Sequence, residues 1–200
     1  TMQIKRATFV TSLTGNQKFS GQGLPQIAIA GKSNVGKSSL INCLCNQNKL
    51  ARVSSEPGKT RLVNVFRIND DFHLVDLPGY GYARVSRTMI EDWGAMMDSY
   101  LSGSEHLCHI LHLVDIRHDP GENDIQMQAW IQHNNLPCTV IATKSDKLSR
   151  AQQQKAILGI CRTLGVQPWD VIPFSSVTRD GKDKLLTRLG EIIRQAEGQA

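Results

Sequence analysis

The sequence predicts a single three-layer α/β domain in which a mostly parallel central sheet carries helices on both faces. Apolar runs of buried-strand length alternate with segments of helical period, the pattern of strands linked by crossover helices. The 200 residues, 40% hydrophobic and 6% aromatic, are enough for one core and short for two. The first core run leads into a glycine-rich loop that opens a helix. Residues 23–197 are expected to form this domain. Residues 1–22 read as a semi-ordered arm with a candidate extra strand at Ala7 to Val10, followed by the polar stretch Thr14 to Gly23.

The run Gln26 to Ala30 reads as a buried strand and passes into Gly31-Lys32-Ser33-Asn34-Val35-Gly36-Lys37-Ser38, which fits G-x-x-x-x-G-K-[ST]. The stripe Leu40, Ile41, Leu44 then marks a helix, so the loop has the strand-and-helix context of a phosphate cradle. Its glycines let backbone N–H groups close on phosphates, and the helix start around Ser38 and Ser39 adds partial positive charge. Lys37 is expected to reach the β and γ phosphates, and the Ser38 hydroxyl to hold magnesium.

Gln47 to Thr60 is a long loop rich in Lys, Ser, Gly and Pro, and long loops in compact domains tend to be functional. In Pro57-Gly58-Lys59-Thr60-Arg61, just before Leu62, Thr60 is the candidate second hydroxyl ligand of magnesium, which favours octahedral oxygen donors. Strands are expected at Leu62 to Ile68 and Phe72 to Asp76. The latter ends in Asp76-Leu77-Pro78-Gly79, where a carboxylate can hold a metal's water shell and the Gly79 N–H can bind a γ-phosphate. Lys37, Thr60 and Gly79 are thus the groups expected to act on the transferred phosphoryl group. Tyr80 follows; a phenol lacks the paired donor and acceptor with which an amide side chain could orient an attacking water, so slow turnover is expected.

Met89, Ile90, Trp93, Met96, Met97, Tyr100 and Leu101 form a helical core stripe. Ile110 to Ile116 is the next strand, and alternation along it sets His109 and His112 on opposite faces, which argues against a zinc site with His106 and Cys108. Asp115-Ile116-Arg117-His118, at its end, reads as an ion pair or turn. The strand Thr139 to Thr143 runs into Thr143-Lys144-Ser145-Asp146. The Asp146 carboxylate can accept from guanine N1 and N2, a pair of donors adenine lacks, while the Lys144 stem lies along the base. Ile157, Ile160 and Leu164 mark another helix; Val171 to Phe174 is the last strand. Ser175-Ser176 after it can offer a backbone N–H to guanine O6, and Leu185, Leu189, Ile192 and Ile193 line the final helix.

The net charge of +5 admits a nucleic-acid partner or an ordinary solvated surface. Five cysteines without C-x-x-C spacing read as reduced core thiols. No apolar stretch nears the roughly 20 residues that span a bilayer, and no secretion signal is recognised, so a cytoplasmic protein without membrane attachment is expected.

The motifs Gly-Lys-Ser-Asn-Val-Gly-Lys-Ser-Ser, Pro-Gly-Lys-Thr, Val-Asp-Leu-Pro-Gly-Tyr-Gly-Tyr-Ala, Asp-Ile-Arg-His, Thr-Lys-Ser-Asp-Lys and Phe174-Ser175-Ser176 resemble those of the EngB family, also called YihA or YsxC, of bacterial GTPases, over about residues 4 to 195. The resemblance implies a Ras-like fold, magnesium-dependent GTP and GDP binding, slow hydrolysis, a role in large ribosomal subunit assembly through ribosomal RNA and proteins, and a part in cell division and septation. A monomer is expected. Resemblance also suggests Asn34 as a potassium ligand, supplying charge where no arginine finger is evident; the alternative is that Asn34 simply tolerates a left-handed backbone.

Hydrolysis would release the loops Gln47 to Leu62 and Tyr80 to Arg87. They carry Lys49, Arg52, Lys59, Arg61, Arg84 and Arg87 beside Tyr80 and Tyr82, which reads either as an RNA-contacting surface or as a solvated loop with packed tyrosines. A metabolic P-loop transferase or ATPase is the alternative function; it would need an acceptor pocket or a catalytic base, for which no residue stands out.

Overall fold

The computed structural model describes residues 2–14, 17–52, 62–81, 94–100 and 104–199. Seven strands, β1 (Ala7–Leu13), β2 (Gln26–Gly31), β3 (Val63–Ile68), β4 (Phe72–Asp76), β5 (Leu107–Asp115), β6 (Cys138–Thr143) and β7 (Val171–Pro173), form one sheet in the order β1-β3-β4-β2-β5-β6-β7. β4, β2, β5, β6 and β7 run parallel, whereas β3 is antiparallel to both β4 and β1. Helices are α1 (Lys37–Leu44), α2 (described over 94–100), α3 (Glu122–His133), α4 (Arg150–Leu164) and α5 (Lys182–Gly198).

Strand alternation builds the layers. On one face of β2, Ile27 and Ile29 pack with Leu40, Ile41 and Leu44 of α1 and Leu185, Leu189 and Ile193 of α5. On the other, Ala28 and Ala30 lie in a cluster with Met97 and Tyr100 of α2 and Met127 and Ile131 of α3. α4 covers Val114, Val140 and Ala142 through Ile160, Cys161 and Leu164. Every residue of β2 is buried, as a central parallel strand requires.

Sequence expectation and structure differ in the arm and at the start of β5. The candidate strand in the arm extends to Leu13 and forms the sheet edge, with a bulge between Phe9 and Thr11 that breaks the simple alternation. Asn69 and Asp70, at φ 53° and 54°, lie in the three-residue turn Asn69 to Asp71 joining β3 to β4, and the Asn69 side chain accepts from the backbone N–H groups of Lys5 and Arg6. β5 begins at Leu107, pairing back to Gln26 beyond the unbroken apolar run. Among the described residues no helix is long and apolar enough to cross a membrane. All five cysteines are free thiols, and burial pushes Cys45 and Cys138 up to about 12.

Candidate functional site

The phosphate loop leaves β2 at the C-terminal end of the parallel strands, where α/β sheets place their ligands. Gly31 is pinned by its neighbours: a Cβ there would lie 2.8 Å from Val35 Cγ1 and 3.0 Å from the Leu113 carbonyl oxygen. Asn34 at φ 65° and Gly36 at φ 113° turn the chain through left-handed geometry into α1. Val35 is buried in the core, so its side chain faces away from the cradle.

Lys37 opens α1. Burial draws its ammonium below the ordinary value, partly offset by the charge of Asp76. Burial in turn pushes the Asp76 carboxyl up to about 6, with Lys37 opposing. Asp76 Oδ1 is buried with no hydrogen-bond partner among the described residues, an arrangement that normally signals a missing ligand. The Ser38 hydroxyl donates its proton to the Arg52 carbonyl at 2.9 Å, which leaves its lone pairs for a cation. A hard cation takes oxygen donors of this kind, so these residues fit magnesium.

After Asp76, Leu77 points into the core at 1% exposure and Pro78 is also buried. Gly79 presses on the phosphate loop so closely that a Cβ would sit 2.9 Å from the Ser33 nitrogen and Cα. Tyr80 accepts the Ser33 N–H at 3.0 Å and donates its own N–H to Gly31 at 3.2 Å. Its ring is buried, and the phenol reaches Asp124 Oδ1 at 2.6 Å and His112 Nε2 at 2.7 Å. Tyr80 therefore cannot belong to an exposed aromatic surface, which corrects that part of the sequence reading.

The loop after β6 is bolted to the phosphate loop. The Thr143 hydroxyl donates to the Val35 carbonyl at 2.8 Å, and the Lys144 ammonium lies 3.2 Å from the Asn34 carbonyl and 3.2 Å from Asp115 Oδ2. Asp115 is also gripped by the Arg117 guanidinium at 3.1 and 2.8 Å. Partial burial alone would raise this carboxyl, but hydrogen bonds from Arg117 and Lys144 outweigh it and hold it well below the usual range. Asp146 Oδ1 accepts from the fully buried Ser175 hydroxyl at 2.9 Å, and that hydroxyl accepts the N–H groups of Val177 and Thr178. The Ser145 N–H donates to the Phe174 carbonyl, while the Phe174 ring is core at 1% exposure. Because the Ser175 N–H is taken by Asp180 at 3.0 Å, the exposed Ser176 supplies the free edge of the dipeptide.

Residues 26–144 match the family model described as 50S ribosome-binding GTPase. The chain is 50% identical over 197 residues to a protein of Alkaliphilus metalliredigens named Probable GTP-binding protein EngB, covering 98% of this chain and 95% of that protein. The chain belongs to the EngB family of GTP-binding proteins. A crystal structure of a probable GTP-binding protein engB shares the fold at TM-score 0.66 and 24% identity, covering 85% of this chain and 99% of that one. Era in complex with MgGDPNP and nucleotides 1506–1542 of 16S ribosomal RNA aligns at TM-score 0.61 and 25% identity, over 83% of this chain and 55% of that one.

As an EngB-family member the chain is a P-loop GTPase with a Ras-like fold. Its structure brings together Gly31 to Ser39, Asp76 to Gly79, Thr143 to Asp146 and Ser175 and Ser176 around the C-terminal ends of β2, β4, β6 and β7. Gly58, Lys59, Thr60 and Arg61 lie outside the described residues, as do Tyr82, Arg84 and Arg87 of the basic loops and Met89, Ile90, Trp93 and Leu101 of the helical stripe. Leu62, just ahead of β3, is at the margin of exposure, and Lys49 and Arg52 are exposed. The sequence reading missed Asp124 and Gln128, which with His112 form the polar lining around Tyr80. A histidine inside an otherwise apolar strand was the available signal, since a buried imidazole demands polar partners.

Proposed function

We propose that this GTPase is a magnesium-dependent switch with slow intrinsic turnover, acting in the cytoplasm on a large ribosomal subunit or its precursor. In this reading residues 23–197 carry the site, and residues 1–22 are an N-terminal arm whose strand β1 adds the edge of the sheet. The observation that carries it is the coupling of base and phosphate motifs: Lys144 is bonded to Asn34 while Asp146 is held in place by Ser175. Guanine N1 and N2 donate to Asp146, the Ser176 N–H meets O6, and the Lys144 stem lies along the ring. The backbone of Lys32 to Gly36 and the Lys37 ammonium take the phosphate charge. Lys59, Arg61 and Leu62 would border the nucleotide, and Ser39 would extend the helix start toward the α-phosphate.

Ser38 and Thr60 would hold magnesium, with Asp76 holding its water shell; bound there, it screens the charge of the β and γ phosphates. Hydrolysis transfers the γ-phosphoryl group from its bridging oxygen to water, giving GDP and phosphate. With Tyr80 turned into the core, no side chain at that position orients the water, which supports slow turnover. The Gly79 N–H and Thr60 would then lose the γ-phosphate and release the adjoining loops.

The description of the matched family names the 50S particle, and the Era neighbour carries a 16S fragment, so both support a ribosomal partner. Involvement in septation rests on the family resemblance. Cosedimentation with separated large and small subunits, in GDP and in a non-hydrolysable GTP analogue, tests the reading. Nucleotide-dependent pelleting with the large subunit is expected; pelleting with neither, or preference for ATP in exchange assays, refutes it.

A further inference from the structure

Asp124 joins the two loops that would enclose a γ-phosphate. It sits in the first turn of α3 at 4% exposure. Its Oδ1 accepts the Tyr80 hydroxyl at 2.6 Å; its Oδ2 accepts the Gly121 N–H at 3.0 Å and lies 3.4 Å from the Lys32 ammonium. Lys32 is the second residue of the phosphate loop and pairs as an isolated bridge with Tyr80. One buried carboxylate thus grips the phosphate loop with one oxygen and the residue after Gly79 with the other.

The other side of the phenol is equally engaged. Gln128 Oε1 can only accept, so His112 Nδ1, 2.8 Å away, carries the proton. Burial keeps this imidazole below its ordinary value, against the Gln128 hydrogen bond and the Asp124 charge, so Nε2 is an acceptor. The phenolic proton is then shared between Nε2 and Asp124. Turning Tyr80 out would leave Asp124 Oδ1 and His112 Nε2 without their shared partner in the core, and unpaired buried polar atoms are costly. Gly79 lies so close to Ser33 that a Cβ would not fit between them, which leaves little room for movement toward the phosphate loop.

We infer that Asp124 and Tyr80 are positioning residues that mount the Gly79 N–H rigidly against the phosphate loop and thereby set how strongly a γ-phosphate is felt. The inference rests on the proposed role of Gly79 as γ-phosphate donor. GDP does not reach Gly79, so a loosened mount weakens GTP binding and spares GDP. A role confined to stability would move both nucleotides together.

Tyr80→Phe keeps the ring and removes the phenol; Asp124→Asn keeps the volume and removes the charge. Affinities for fluorescent GDP and for a β,γ-imido GTP analogue are measured with magnesium for the native chain, each variant and the double variant, with thermal unfolding in parallel. Each single variant should lose about tenfold in analogue affinity, the scale of one hydrogen bond to a charged group, while GDP stays within about twofold. The double variant should lose clearly less than the product of the two single losses, since Tyr80 and Asp124 share one bond. An equal loss for both nucleotides, or no loss in either folded variant, overturns the inference. A native chain that binds neither guanine nucleotide refutes the proposed function instead, before any variant is compared.

Discussion

The Ser175 hydroxyl donates to Asp146 Oδ1 at 2.9 Å from a fully buried position. Ser175 Oγ also accepts the backbone N–H groups of Val177 and Thr178, so one side chain both shapes the loop and aims the carboxylate. Ser175→Ala should weaken GDP binding about tenfold and narrow the preference for guanosine over inosine nucleotides, which lack the N2 amine. Competitive titration reads both. Asp146→Asn should erase the guanine preference altogether, and an unchanged preference would end the base-recognition account.

Asp76 makes the metal contribution depend on pH. Its folded value, about 6 because of burial with Lys37 opposing, lies above the ordinary 3.8. In the nucleotide-free chain its stabilising contribution is therefore full below about pH 4 and is lost as pH rises through about 6. Holding a hydrated cation needs the charged form. The magnesium-dependent part of nucleotide affinity should fall as pH drops from about 7 to about 5, and Asp76→Asn should remove that step. Titrations with magnesium and with chelator across this range test it.

His109 contributes with the opposite sense. Burial, then the charge of Arg188, lowers it from 6.5 to about 4, and its Nε2 lies 2.8 Å from the Thr139 hydroxyl. Its stabilising contribution is full above about pH 6.5 and is lost as pH falls toward about 4, up to roughly 3 kcal/mol. His73 and His112, also lowered by burial, act in the same direction. Chemical denaturation from pH 7 to 4 should show a shallower acid loss in His109→Gln than in the native chain.

Gly181 caps α5 at φ 84°, and a Cβ there would collide with the Pro173 carbonyl oxygen. Gly181→Ala must displace backbone beside the Ser175 loop. A loss of about 2–4 kcal/mol is expected, together with weaker GDP binding, read by thermal unfolding and titration.

Asn34 has the left-handed geometry that either of its two readings accommodates, at φ 65°. If its side chain holds potassium, turnover in potassium should exceed turnover in sodium, and Asn34→Gly, which keeps the backbone freedom, should equalise them. Equal rates in the native chain would reduce Asn34 to a turn residue.

How far the sequence foretold this structure depended on how each buried face is made. Strands β2, β4 and β6 are near-continuous apolar runs, and their loops carry motifs whose spacing alone implies phosphate and base recognition. α3 was not singled out because its buried face uses Asp124 and Gln128 alongside Met127 and Ile131, so no apolar stripe appears. Phe174 was placed in the site by its neighbours in sequence; its ring fills the core and only its carbonyl supports the loop. The Asp115–Arg117 ion pair lies within the short stretch that reads as one, but Lys144, which joins it from the loop after β6, is distant in sequence and no local pattern announces it.

The ties from Thr143 to Val35 and from Lys144 to Asn34 make base clamp and phosphate cradle a single rigid bracket. A ligand that fills both ends gains what a chelator gains, since seating one end delivers the other at high effective concentration. Free guanosine and free pyrophosphate should therefore each be held far more weakly than halves of a nucleotide would suggest, and cutting the Thr143 tie should erode that bonus.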